Sequence, residues 1–276
     1  MISSTQVKKI AANYGINPGI IERDYILGKV LIGLSKQPQV QETFVFKGGT
    51  ALKKLFFSHW RYSEDLDFTL IKPLNPMAIK RVFDDSCRIC HKDVGLEIKA
   101  HRITLPSAGN PKYPGYVGLK LSYTGPLAKA SGIKNVIKID ITQDETIIGD
   151  IRDVKIIQFY PDDEEATIKS YSLEEITAEK LRSILERGKS RDYYDVWQLL
   201  KAEGSRMVFR EVVRILKEKC AHEKVKFDSP DDFLSETRIE QARGFWKRGL
   251  AHQMKDLPDF DVTMKELRRL LDGISF

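Results

Sequence analysis

Two aspartates one residue apart, Asp65 and Asp67 in the run Arg61-Tyr-Ser-Glu-Asp65-Leu-Asp67-Phe-Thr-Leu70, carry the clearest chemical signal in the chain. On an extended segment both carboxylates leave one face, while Leu66 and Phe68 enter a core on the other. Upstream, Phe44-Val-Phe46 reads as a buried strand broken by Gly48-Gly49, with Thr50 placed to cap a helix over Ala51–Phe57. A glycine turn that opens a helix leaves backbone N–H groups pointing outward, and such groups bind phosphate. Two parallel carboxylates beside that cradle suit a divalent cation and the chemistry of a nucleotide's phosphates. A bare D-x-D is by itself more often two solvent-facing acids; the Gly-Gly-Thr turn in the same strand–helix–strand unit raises its weight.

Further groups lie downstream. In Val136–Ile141 the isoleucines at 137, 139 and 141 take one face, which leaves Asp140 on the other as a third carboxylate. There it can serve as a metal ligand or as the general base that activates an incoming hydroxyl. Lys180 shares a helical stripe with Leu173, Ile176, Thr177 and Ile184, so its cation is either snorkelling past a core edge or reaching toward anionic oxygens. Asp192 and Asp195 fall on one face of the next helix. Asp192, in the first turn, suits the helix dipole and a structural role. Asp195, deeper and flanked by Tyr194, Val196 and Trp197, is the better functional candidate. Cys87-x-x-Cys90-His91 has the spacing of a haem attachment, yet the helical period of Met77–Val94 puts both thiols on its apolar face and predicts buried cysteines.

The elements that must position these groups follow from patterning. The 276 residues are 42% hydrophobic and 30% charged, the composition of a soluble globular protein, and the net charge of +6 permits a polyanionic partner without demanding one. Three cysteines make no disulfide framework, and no apolar run is long enough to span a membrane, so a cytoplasmic location is expected. Helices are expected over 3–13 and 18–36, with Glu22, Arg23 and Asp24 as a solvated first turn of the second. Strands are expected at 96–100, 117–123, 136–141 and 154–160, with loops at 107–115 and 124–126. From Ser172 the chain turns helical: a capping box Ser172–Glu175 opens a helix closed by Gly188, and Ser190 caps another ended by Gly204. Amphipathic helices then fill 206–221, 235–252 and 261–273. The change of architecture near residue 170 separates an α/β (α+β) part, 1–170, from a helical part, 171–276.

Lys47-Gly-Gly-Thr-Ala-Leu52, Arg61-x-Ser63-x-Asp65-x-Asp67-Phe68, Ala178-Glu-Lys180-Leu181 and Arg191-Asp192-x-Tyr194-Asp195-Val-Trp197 resemble, in order and approximate spacing, the successive signatures of the AbiEii/AbiGii toxin family. These are nucleotidyltransferase-like proteins of bacterial abortive-infection and toxin–antitoxin systems. Glu22-Arg-Asp24-Tyr25 resembles the family's N-terminal helix, and the likeness spans about residues 15–200. The resemblance implies a polymerase-β-like nucleotidyltransferase core with a mixed sheet, followed by a C-terminal helical bundle. It further implies a nucleoside triphosphate as substrate, Mg2+ (or Mn2+) as cofactor, the tRNA 3′ end as acceptor and a cognate antitoxin as partner. By the same carry-over Asp65 and Asp67 hold the metal, and Gly48, Gly49 and Thr50 cradle phosphate. Lys180 then meets the triphosphate, Asp195 is a further essential acid, and Arg61 and Ser63 order the loop or touch phosphate. Two rivals fit parts of the pattern: a metal-dependent glycosyltransferase using the D-x-D, and a transferase fold that only binds RNA or protein. Lys129, Lys134, Arg243, Lys247 and Arg248 could line an acceptor groove, although as a group they read as scattered solvated charges.

Overall fold

Ser3 caps the first helix, α1 (Ser4–Tyr14), and Gly15 ends it in a left-handed conformation. Asn17 caps α2 (Pro18–Ser35), whose first residue, Pro18, lacks an N–H where no intrahelical partner exists anyway. In the computed structural model, which describes residues 1–104, 115–128, 135–203 and 207–276, the chain divides into two units. The first is Met1–Glu145 with Arg152–Ser170; the second is Thr146–Ile151 with Tyr171–Phe276.

The first unit is built on a seven-stranded mixed sheet. Its strands are β1 (Phe44–Lys47), β2 (Asp65–Leu70), β3 (Glu97–Thr104), β4 (Val117–Thr124), β5 (Asn135–Thr142), β6 (Ile151–Lys155) and β7 (Thr167–Tyr171), in the spatial order β3-β4-β5-β2-β1-β7-β6. β2 runs antiparallel to β1 and parallel to β5, and β1 runs parallel to β7. A short α3 (Pro38–Thr43) precedes β1, and α4 (Gly48–Ala51) follows it and continues as a π-helical turn, Leu52–Phe56. α5 (Pro76–Val94) packs on the apolar face, where Phe83 meets Phe44 and Phe68 edge-on, each at 6.3 Å. Cys87 and Cys90 lie on its buried side as the helical period predicts, and burial pushes both thiols up to about 12.

Several expectations are corrected here. Glu22 and Asp24 are not a solvated first turn: both are buried. The Glu22 carboxylate accepts from the Leu127 N–H at 2.7 Å, and Asp24 pairs with Lys54 at 2.7 Å while accepting from the Tyr160 hydroxyl at 2.8 Å. Thr50 is not a cap. Gly48 at φ +80° turns the chain straight into the helix, and the Thr50 hydroxyl donates to the Asp65 carbonyl at 2.5 Å. The strand expected over 154–160 occupies Ile151–Lys155 instead, since Asp163 takes the N–H groups of Phe159 and Tyr160 and Lys54 that of Ile157. β7 and α3 add to the expected elements. The loop at 107–114, Lys129, Lys134 and Gly204 lie outside the described residues.

The second unit is helical: α6 (Leu173–Arg187), α7 (Ser190–Glu203), α8 (Phe209–His222), α9 (Glu236–Leu250) and α10 (Phe260–Asp272). Leu181, Tyr193, Val196, Leu216, Phe233 and Leu267 are among its fully buried core. Ser172 caps α6 by accepting from the Glu175 N–H, but the capping box is not completed. The Glu175 carboxylate instead takes the N–H groups of Ile148 and Gly149 and the Lys219 ammonium. Ser190 lies inside α7, its hydroxyl donating to the Ala242 carbonyl on α9.

Removing one partner of the buried Asp24–Lys54 pair leaves an uncompensated charge. Asp24→Ala should therefore lose about 3–5 kcal/mol, read as a drop in the urea midpoint. Replacing Asp24 and Lys54 together by Leu and Met should cost less than the single change.

Candidate active site

β2 alternates as a half-buried strand should: Asp65 and Asp67 share the polar face, while Leu66 and Phe68 are fully buried on the other. The parallel neighbour β5 aligns Asp140 with Asp67 and Lys138 with Asp65. On the other side β1 aligns Lys47 with Asp67, and on β4 Gly118 is the partner of Asp140. One transverse row thus reads Gly118, Asp140, Asp67, Lys47, with Asp65 two residues back along β2. The Lys47 ammonium pairs with Glu145, which also accepts from Thr142 Oγ1 at 2.6 Å and Thr69 Oγ1 at 2.9 Å.

The glycine turn lies directly against these acids. A Cβ on Gly48 would stand 2.4 Å from Asp67 Oδ2, and the φ of +80° already excludes most side chains. A Cβ on Gly49 would stand 3.1 Å from Arg61 Nη2 and 3.5 Å from Ser63 Oγ. The structure therefore gathers Gly48, Gly49, Thr50, Arg61, Ser63, Asp65, Asp67 and Asp140 in the first unit. Arg61 is buried, so its guanidinium is held against the turn. Lys53, in the π-helical turn, anchors the chain leading to β2: its ammonium donates to the carbonyls of Ser58 at 3.0 Å and Trp60 at 3.1 Å. Burial lowers its pKa to about 8, with Lys54 adding to the shift and Asp24 opposing it.

Sequence reasoning missed Tyr116. Its hydroxyl donates to Asp140 Oδ1, and a Cβ on Gly118 would stand 2.7 Å from the phenol oxygen. Burial raises the phenol's pKa first, then the hydrogen bond to Asp140 and the charges of Asp140, Asp67 and Asp65. The Tyr-x-Gly spacing at the start of β4 was the only available signal. Among the described residues no three His, Cys, Asp or Glu side chains form a ready-made metal cage. Mg2+, however, takes one or two carboxylates and completes its shell with water and substrate phosphates. Asp65 and Asp67, hard oxygen donors on one face beside a turn with no Cβ at Gly48, fit that requirement.

In the second unit Lys180 is neither snorkelling nor solvated. Its ammonium lies 3.1 Å from Asp192 Oδ1 and 2.9 Å from Asp195 Oδ2, and both aspartates are fully buried. Asp192 also takes the Arg187 fork at 3.0 and 3.2 Å. Burial works against its charged form, but Lys180 and then Arg187 outweigh it and hold the carboxyl down at about 2. Of the basic residues considered for an acceptor groove, Arg243 is engaged by Asp261 at 2.7 and 2.8 Å, and Lys247 and Arg248 are exposed on α9.

A mixed sheet with a D-x-D strand, a third acid in register on its parallel neighbour and a glycine turn against the second carboxylate defines a nucleotidyltransferase. The chain matches "Nucleotidyl transferase AbiEii toxin, Type IV TA system" over residues 31–271, and it belongs to that family. In fold it is similar to MenT4, the nucleotidyltransferase toxin Rv2826c from Mycobacterium tuberculosis H37Rv. The TM-score is 0.67 at 16% identity, over 100% of this chain and 91% of that one. No curated protein matches the chain. No helix among the described residues is long and apolar enough to cross a membrane.

Gly48→Ala should push the Asp67 carboxylate aside and lower nucleotidyl transfer by about 100-fold or more, measured as initial rate on soluble, folded protein. Asp192 stabilises the fold with a definite pH window. Its folded pKa of about 2 lies below the ordinary 3.8, so the contribution, about 2 kcal/mol, is complete above pH 3.8 and disappears as pH falls toward 2. Asp192→Asn should flatten the loss of stability across that window, seen by comparing urea midpoints of the two proteins at pH 6 and pH 3.

Proposed function

We propose that this toxin transfers nucleotides from a nucleoside triphosphate to the 3′ end of tRNA in the cytoplasm, and that an antitoxin encoded nearby restrains it. The observation that carries the reading is Asp65, Asp67 and Asp140 on one sheet face, against the Gly48–Gly49 turn. Asp65 and Asp67 would hold Mg2+ or Mn2+, which when bound neutralises triphosphate charge and orients it for in-line attack. Backbone N–H groups of Gly48, Gly49 and Thr50 receive phosphate oxygens, with the Arg61 guanidinium and the Ser63 hydroxyl beside them. Asp140 takes the proton of the acceptor hydroxyl as that oxygen bonds to the α-phosphorus; the bond to the β-phosphate bridge breaks and pyrophosphate leaves. In the second unit Lys180 is a functional cation, and Asp195, 2.9 Å away, is the acid that holds its ammonium in place.

The test is incubation with total tRNA, Mg2+ and each α-labelled nucleoside triphosphate. Label should enter tRNA with at least one of the four, should be lost in Asp67→Ala and should fall steeply in Lys180→Ala. Label entering protein or another RNA instead would reassign the acceptor. Absence of product with every triphosphate, together with no growth arrest on expression, would sink the enzymatic reading. Stabilisation by nucleotide sugars and not by nucleoside triphosphates in a thermal shift would favour the glycosyltransferase.

A further inference from the structure

Between the π-helical turn and β2 the chain runs through 57–64 without helix or strand, and this segment brings Arg61 and Ser63 to the glycine turn. Its first part is closed by backbone bonds: the Phe57 N–H donates to the Leu52 carbonyl at 2.8 Å and the Trp60 N–H to the Phe57 carbonyl at 3.0 Å. The carbonyls of Ser58 and Trp60 then converge on one buried cation, the Lys53 ammonium, at 3.0 and 3.1 Å. The Tyr62 ring faces the same ammonium with its centre 4.1 Å from Nζ, and the Phe159 ring stands at 5.4 Å. The residues either side of Arg61 add no polar anchor of their own. Among the described residues the Trp60 indole N–H and the Tyr62 hydroxyl are buried without a hydrogen-bond partner. Arg61 follows Trp60 directly, so a shift of the Trp60 carbonyl is passed to the guanidinium that lies against Gly49.

We propose that Lys53 is a positioning residue for the nucleotide's phosphates: its ammonium fixes the segment 57–64 so that Arg61 and Ser63 face Gly49, and loss of its proton loosens them. The inference rests on the reading, given above, of the Gly48–Thr50 turn with Arg61 and Ser63 as the phosphate site. An ammonium has three N–H bonds, enough for both carbonyls and the face of Tyr62. The neutral amine keeps two donors but loses charge assistance, and its lone pair meets an electron-rich ring. Burial lowers the pKa of this ammonium to about 8, with Asp24 opposing the shift and Lys54 adding to it. The anchor is therefore complete well below pH 8 and is lost as pH rises through it. Burial raises the phenols of Tyr62 and Tyr160, which stay neutral across that window, and Asp24 is held by Lys54 and Tyr160. His59, between the two anchored carbonyls, is exposed.

The test is calorimetric titration of the acceptor-free protein with each of the four nucleoside triphosphates as its Mg2+ complex. Lys53→Met keeps an unbranched side chain of similar length and removes the donors. At pH 7 it should weaken triphosphate binding about fivefold or more, while kcat at saturating triphosphate in the tRNA labelling assay stays within about twofold. Binding to wild type should weaken as pH rises through about 8. The ratio of the two dissociation constants, in which any titration of the triphosphate cancels, should fall toward one by pH 9. Lys53→Arg, which stays charged throughout, should bind as wild type does at pH 7 and keep that affinity at pH 9. Lys53→Met should add less than about twofold in an Arg61→Met background. An unchanged dissociation constant in Lys53→Met, a ratio constant from pH 7 to pH 9, or an undiminished effect in Arg61→Met overturns the proposal. Should Lys53→Met fail to fold, wild-type affinity that is constant across that pH range overturns it equally. If wild type binds a triphosphate and Lys53→Met matches it, this inference alone fails. If wild type binds none of the four, the phosphate-site reading fails with it.

Discussion

Like charges set close together are the constraint around which the first unit is arranged. Strands in a sheet lie roughly 5 Å apart, and two carboxylates at that separation repel by about 3 kcal/mol at an effective dielectric near 20. Asp67 and Asp140 face each other across such a step, with Asp65 close by. What holds the strands together is the opposite face, where Phe46, Leu66, Phe68, Ile139 and Ile141 are all fully buried. Each contributes about 1.5–3 kcal/mol, so the apolar side outweighs the repulsion several-fold. The alternation of residues along β2 and β5 lets one strand pair carry both opposing terms.

Much of this arrangement is legible in the sequence, because period-two alternation states which side chains share a face. Asp65, Asp67 and Asp140 could be placed together on the strength of Leu66, Phe68 and the three isoleucines alone. The helical period of Met77–Val94 likewise put Cys87 and Cys90 inside. Legibility fails where a partner lies far along the chain. Asp24 and Glu22 look solvated until Lys54, Tyr160 and the backbone of Leu127 are brought to them. Glu175 looks like half of a capping box until the N–H groups of Ile148 and Gly149 claim it. Tyr116 carried no pattern beyond its spacing to Gly118, since its hydrogen bond depends on a glycine two residues on and an acid two dozen residues away.

Both units bury charge, by different means. In the first, Asp24 receives one ammonium and a phenol, and the adjacent Lys53 is left to backbone carbonyls and the face of Tyr62, 4.1 Å from its ring centre. Its lowered pKa follows from that poorer exchange for water. In the second, two fully buried aspartates share Lys180, and Asp192 adds the planar Arg187 fork. A guanidinium presents paired donors that a carboxylate can accept together, which suits a site with no room for solvent. Both sets are costly to break singly and cooperative while intact.

The turn after β1 has an evolutionary side. Two independent barriers coincide at Gly48: a backbone angle that side chains resist and an acid within 2.4 Å of any Cβ. A lineage could relieve the first by reshaping the turn, or the second by moving the acid, but neither step alone makes room for a side chain here. Drift at this position therefore has no gradual route while the turn and the strand beside it keep their present places.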